Sequence, residues 1–109
     1  QVYFNPITIW DLGKQIEKLI SFNYTGILHI ASKDSINKYD FGIKLCRELN
    51  LNEKIINNTR LSDFNSIVKR SRNQTLDSSF YEKLFKIKLP KVDEAVNLIA
   101  QNYRYASYE

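Results

Sequence analysis

Residues 69 to 74 hold the densest reactive chemistry of the chain: Lys69-Arg70-Ser71-Arg72 sets three positive charges into four positions, and the uncharged donors Asn73 and Gln74 follow. Guanidinium groups present a planar fork of N–H donors that matches phosphate oxygens. In extended chain, residues 70 and 72 point the same way, so both can serve one anion. A diphosphate is therefore a ligand this stretch could hold. Two plainer readings compete with it. One is a solvated loop whose cations pair with Asp63 or Asp77. The other is a nucleic-acid contact, suggested by the net charge of +4 but opposed by the scatter of most basic residues singly along polar faces.

Catalytic patterns are missing, as are metal-binding ones. Gly13, Gly26 and Gly42 are the only glycines, too dispersed for a turn that cradles phosphates. No Tyr-x-x-x-Lys pair occurs; the residues four after Tyr24, Tyr39 and Tyr81 are Leu28, Ile43 and Phe85. There is no G-x-S-x-G, and no two carboxylates are forced together on an apolar wall, the arrangement that would raise an acid's pKa. The single histidine, His29, has no second histidine or cysteine to share a metal and is expected to be packed or hydrogen-bonded. The one cysteine, Cys46, sits among Ile43, Leu45 and Leu49 and reads as a buried free thiol, which suits a reducing, cytoplasmic setting. Three Asn-x-Thr sequons, at Asn23, Asn57 and Asn73, follow from eleven asparagines, since nothing else indicates secretion.

The elements that would position these residues follow from spacing. Thr8 as cap, Asp11 three residues on, and Ile9, Leu12, Ile16, Leu19 and Ile20 at helical intervals predict an amphipathic helix over 9–21, entered from an extended lead through Pro6. ILHIA, residues 27–31 after Gly26, predicts a short buried strand. Asn37 with Asp40 caps a second helix over 38–50, with Tyr39, Ile43, Cys46 and Leu49 inward and Leu45 on the flank. A short strand is expected at 55–57, then a loop over 62–75. A third helix starts at Asp77 or Ser78, with Phe80, Leu84 and Ile87 on one side. Pro90 is expected in the first turn of a last helix bearing Val92, Val96, Ile99 and Tyr103.

At 109 residues, with 43% hydrophobic and 26% charged, the chain can bury a core as one domain without disulfides. No apolar run approaches the roughly 18 residues of a membrane span. Two short strands separated by a helix leave sheet edges unpaired, however. The sequence contains no methionine, and its opening QVYFNP reads as the interior of a longer polypeptide. A missing partner is therefore expected.

KRSRNQTLDSSFYEKLFKIKLPKVDEAV resembles the C-terminal signature of the dTDP-4-dehydrorhamnose reductase family: Arg-Pro-x-Asn-x-x-Leu-Asp-Ser-Ser, a short Glu-Lys-Leu helix, Leu-Pro, and a last amphipathic helix. The matching residues are Arg70, Asn73, Leu76, Asp77, Ser78, Ser79, Glu82, Lys83, Leu84, Leu89, Pro90 and Glu94. QVYFNPITIWDLGKQI is similar to the family's Gln-to-Pro-Thr lead and Asp-Leu-Ala helix. GILHIASKDSINKYDFGIKLC is similar to its Gly-x-aromatic-His-x-Ala strand and the helix after it. The likeness spans roughly residues 1 to 100. Ser71 stands where the family has Pro, which loosens the loop beside Arg70, and Asn37 replaces Ser as one good cap for another.

The resemblance implies an α/β fold: the helix-rich C-terminal portion of an extended short-chain dehydrogenase, four helices with two or three short strands, without its Rossmann core. Residues 1–34 would pack on that missing domain, and 35–103 would form the substrate-binding subdomain. The dinucleotide fingerprint and the Tyr-Lys pair would lie upstream. The parent would reduce a 4-keto-deoxysugar nucleotide with NADP or NAD, and this portion alone would be inactive. Arg70 would hold the substrate diphosphate, Arg72 and Asn73 would assist, and Gln1 and Asn5 would line the sugar pocket. Exposed apolar surface would favour a homo-oligomer, with neither nucleic acid nor membrane as partner. Two neighbouring readings are a non-catalytic module resembling the regulatory subunit of methionine adenosyltransferase and part of a sister nucleotide-sugar epimerase or dehydratase.

Overall fold

The computed structural model describes residues 2–56 and 71–106. The elements run β1 (Tyr3–Phe4), α1 (Ile9–Ile20), β2 (Ile36–Asn37), α2 (Lys38–Glu48), a 3-10 turn (Glu53–Ile55), α3 (Ser79–Phe85) and α4 (Val92–Ala106). The chain is thus mixed α/β and helix-rich, four helices with a two-stranded sheet and no Rossmann core among the described residues.

Local chemistry sets the helix ends. Thr8 Oγ1 accepts the Asp11 N–H at 3.1 Å and donates to Asp11 Oδ2 at 3.0 Å, which starts α1. Asn37 does the same for α2, accepting from Asp40 N–H at 2.8 Å and donating to its carboxylate at 2.7 Å. Helix α2 stops where Asn50 turns left-handed (φ 58°), with Leu51 N–H reaching Cys46 O and Asn50 N–H reaching Arg47 O, a Schellman closure. Helix α3 ends on a left-handed Lys86, and Ile87 N–H reaches Glu82 O. Helix α4 takes its cap from a distant loop, because the Asp34 carboxylate accepts Val92 N–H at 2.7 Å and adds negative charge at the helix start.

The core lies between α2, α4 and the sheet. Ile36, Val92 and Val96 form its centre, with Phe4, Phe41 and Leu45 packed on it. Ala95 and Ala100 are fully buried, small enough to let the helices approach closely. Phe4 meets Phe41 edge to face at 5.7 Å between centroids. Cys46 is buried and unpaired, as its apolar neighbours require.

Helix α1 contributes no buried residue. Ile9 and Ile20 are 75% and 82% exposed. The helix is tied down by the Tyr81 hydroxyl, which donates to Gln15 Oε1 at 2.7 Å, and by ring contacts around Phe22, 4.7 Å from Phe85.

Several expectations need correction. ILHIA forms no strand: a ladder requires a neighbour, none of the described strands lies beside it, and Ile27 is 81% exposed. The strand expected at 55–57 is replaced up to Ile55 by the 3-10 turn, because the Asn52 side chain accepts Lys54 N–H at 3.0 Å; Asn57 lies outside the described residues. The observed strands lie in the extended lead, Tyr3–Phe4, and at Ile36–Asn37, immediately before α2. Pro90 precedes α4, its carbonyl accepting Lys33 N–H at 2.9 Å. The inward faces are also rotated. Tyr81 is buried while Phe80 is half exposed, and Ala95 and Ala100 replace Ile99 and Tyr103 at the centre of α4. On α2, Cys46 is buried as expected, while Phe41 and the flanking Leu45 pack on the core in place of Tyr39 and Ile43. His29 is exposed, not packed.

Candidate functional site

Residues 72–74, at the end of the basic segment, are held by the sheet. Strand β1 pairs antiparallel with β2, Tyr3 opposite Asn37 and Phe4 opposite Ile36. Its other edge receives the stretch after the basic run: Tyr3 N–H donates to Arg72 O at 2.8 Å, and Gln74 N–H donates to Tyr3 O at 2.7 Å, a parallel bridge centred on Asn73. A strand from the start of the chain therefore sets the height and direction of residues 72–74.

Side chains then stiffen the segment. Asn73 Oδ1 accepts Thr75 N–H at 3.1 Å and the Thr75 hydroxyl at 2.5 Å, an Asx turn. Ser71 Oγ donates to Asn73 O at 2.9 Å and accepts Asn73 N–H at 3.3 Å, and Gln74 Nε2 donates to Ser71 O at 3.2 Å. Ser71 thus supplies by hydrogen bonding some of the restraint a proline at this position would supply covalently.

Of the residues expected at the site, Arg72 and Asn73 lie side by side and exposed in this segment. Asn5 sits next to it, half-buried. Lys69, Arg70 and Gln1 fall outside the described residues, as does Asp63. Asp77, the other anion considered as a partner for the arginines, is engaged elsewhere. Its Oδ1 accepts Ser79 N–H at 2.9 Å, and its carboxyl is held below the usual range first by that bond, then by the Ser79 hydroxyl, with His29 and Lys83 adding favourable charge. Among the described residues Arg72 joins no ion pair; those that form are Lys33–Glu82, Lys44–Asp93 and Arg47–Glu53.

The remaining perturbed groups are structural. Arg47 and Glu53 hold each other charged through a 2.8 Å hydrogen bond, and burial pushes the Tyr81 hydroxyl upward. No cluster of His, Cys, Asp and Glu among the described residues could hold a metal. A cavity of about 380 Å³ opens between the starts of α2 and α4, but its carboxylates are committed: Asp34 to Val92 N–H, Asp40 to the Asn37 cap, Asp93 to Lys44 at 2.6 Å. What the described residues offer is binding, through exposed donors on a braced edge.

Sequence reasoning missed the brace. The pairing of Tyr3 with Asn73, 70 positions apart, leaves no local trace. Asn5-Pro6 and Asn73-x-Thr75 were signals that could have suggested extended and Asx-turn backbone at those points. Ser78, read from sequence only as a helix start and a family match, has its hydroxyl buried without a hydrogen-bond partner among the described residues.

Among the described residues no helix is long and apolar enough to cross a membrane. No curated protein matches the chain, and no solved structure does. A family model, RmlD substrate binding domain, matches residues 6–105, nearly the full length and including the braced segment. The chain therefore belongs to the RmlD substrate-binding domain family, the substrate-binding domain of dTDP-4-dehydrorhamnose reductase-like proteins and so of a sugar-nucleotide reductase-like family.

Proposed function

We propose that the chain is the substrate-binding portion of an NAD(P)H-dependent reductase acting on a 4-keto-deoxysugar nucleotide, and that its basic segment takes the diphosphate. Arg70 is the principal ligand, with Arg72 and Asn73 beside it and Gln1 near the sugar. One observation supports this reading: the sequence-remote strand β1 holds residues 72–74 by two main-chain hydrogen bonds, so Arg72 and Asn73 stand on a fixed edge. A flexible surface loop would lose far more conformational freedom on binding an anion.

The nicotinamide does not fit these residues. Gly13 and Gly42 lie inside helices and Gly26 at an isolated bend, so none forms the glycine-rich connection between strand and helix that a dinucleotide uses. The cofactor belongs to a dinucleotide-binding domain. The exposed stripe of Ile9, Ile16 and Ile20, with Ile27 beyond, suits docking on such a domain, where ILHIA would find a strand to pair with. This portion alone would be inactive.

Steady-state kinetics of Arg70→Ala in a reductase containing this chain test the assignment. The KM for the sugar nucleotide should rise at least tenfold, the loss of about 1.5–3 kcal/mol expected when a hydrogen bond to a charged group goes, while the KM for NADPH stays put. Unchanged KM for the sugar nucleotide would remove Arg70 from the site.

A further inference from the structure

We propose that Asn5 is a positioning residue for the diphosphate segment, its side chain acting as one more rung of the β1 ladder. This inference rests on the assignment of that segment to diphosphate binding. The main-chain ladder runs Arg72 O to Tyr3 N–H and Tyr3 O to Gln74 N–H. In a parallel pair the next rung would bring the backbone of residue 5 to residues 74 and 76. Pro6 follows, and the chain leaves the sheet there toward Thr8 and α1.

The Asn5 carboxamide fills the place that the backbone vacates. Its Oδ1 accepts Leu76 N–H at 3.0 Å, and its Nδ2 donates to Leu76 O at 2.7 Å, so one side chain meets both main-chain polar groups of Leu76, which a continued parallel strand would divide between residues 5 and 7. The second Nδ2 hydrogen goes to Ser32 O at 3.0 Å. Ser32 in turn donates its hydroxyl to Pro6 O, so the post on which Asn5 leans is itself fixed. Three backbone hydrogen bonds occupy both amide hydrogens, and Asn5 acts on a bound nucleotide through residues 72–76, not by contact.

Among side chains of this length only an amide supplies donors and acceptor together. Asn5→Ala removes all three bonds. Asn5→Asp keeps the acceptor for Leu76 N–H but sets a carboxylate against two carbonyl oxygens.

The test is amide hydrogen exchange with a titration of dTDP, on the intact protein carrying Asn5→Ala, Asn5→Asp or Arg72→Ala. In Asn5→Ala, exchange at Gln74 and Leu76 should quicken by about threefold to tenfold, as for loss of one or two hydrogen bonds, while α2 and α4 keep their protection. Binding of dTDP should weaken several-fold in both Asn5 variants. Arg72→Ala should weaken dTDP binding without touching exchange. Unaltered exchange at 74 and 76 in Asn5→Ala, acceleration spread evenly over α2 and α4, or a loosened segment that binds dTDP as tightly as before would each overturn the positioning role. Wild-type protein that ignores dTDP, together with the local exchange change, would overturn the diphosphate assignment while upholding Asn5 as the brace of this segment.

Discussion

Helices α1 and α4 are similar in length and both amphipathic in sequence, yet they meet opposite fates. Val92, Ala95, Val96 and Ala100 of α4 are buried, the two valines in the core with α2 and the sheet, whereas α1 has no fully buried residue and leaves Ile9 and Ile20 at least three-quarters exposed. An apolar stripe states that a helix face wants cover; it does not say whose. The α2–α4 half finds cover within the chain, and α1 holds its place through the Tyr81–Gln15 bond and the ring contact of Phe22 with Phe85. Its isoleucine stripe stays exposed.

Charge substitutions should separate the two halves most widely. Val96→Asp places an unpaired carboxylate in the core and should cost about 3–5 kcal/mol, enough to unfold a domain of this size. Ile20→Asp, at a position 82% exposed, should move stability by no more than about 0.5 kcal/mol. Urea unfolding of the two variants measures the contrast directly.

A smaller effect is expected at the tie between the halves. Tyr81→Phe keeps the buried ring and removes the hydroxyl that donates to Gln15, so it should cost about 1 kcal/mol. Hydrogen exchange in that variant should quicken over α1 before it changes in α4.

The smallest effect is a pH dependence at the start of α3. The Asp77 carboxyl lies below its ordinary value when folded, chiefly because Ser79 N–H donates to it. Its contribution is present above the unfolded value of about 3.9 and is lost as pH falls through the lower folded value, because the unfolded chain binds the proton more readily. Thermal unfolding followed from pH 6 to pH 2 should show this loss, and Asp77→Asn should flatten that part of the profile.

Much of the helical framework was legible from sequence because helix caps are local. Thr8 with Asp11 and Asn37 with Asp40 each announce a start within four residues, and both caps stand in the structure. Which face each helix buries was harder to read. On α3 the expected stripe ran through Phe80, Leu84 and Ile87, but Tyr81 is the residue buried, since Phe85 and Gln15 receive it. Strands were read worst: a strand exists only with its neighbour, so ILHIA had the composition without the partner, and Tyr3–Phe4, too short a run to signal a strand, had partners 32, 34 and 70 residues away. At the candidate site the arginines announced themselves through charge and spacing. Their support by β1 and Asn5 did not, because it depends on contacts between distant parts of the chain.

The division of labour between the two halves is tested most directly by hydrogen exchange on this chain alone and joined to a dinucleotide-binding domain of its family. Protection of residues 9–20 and 27–31 should rise at least tenfold on joining, with α2 and α4 unchanged, as the isoleucine stripe is covered and ILHIA gains a neighbouring strand. Equal exchange over 9–20 and 27–31 in the two proteins would contradict the reading of α1 as a docking face.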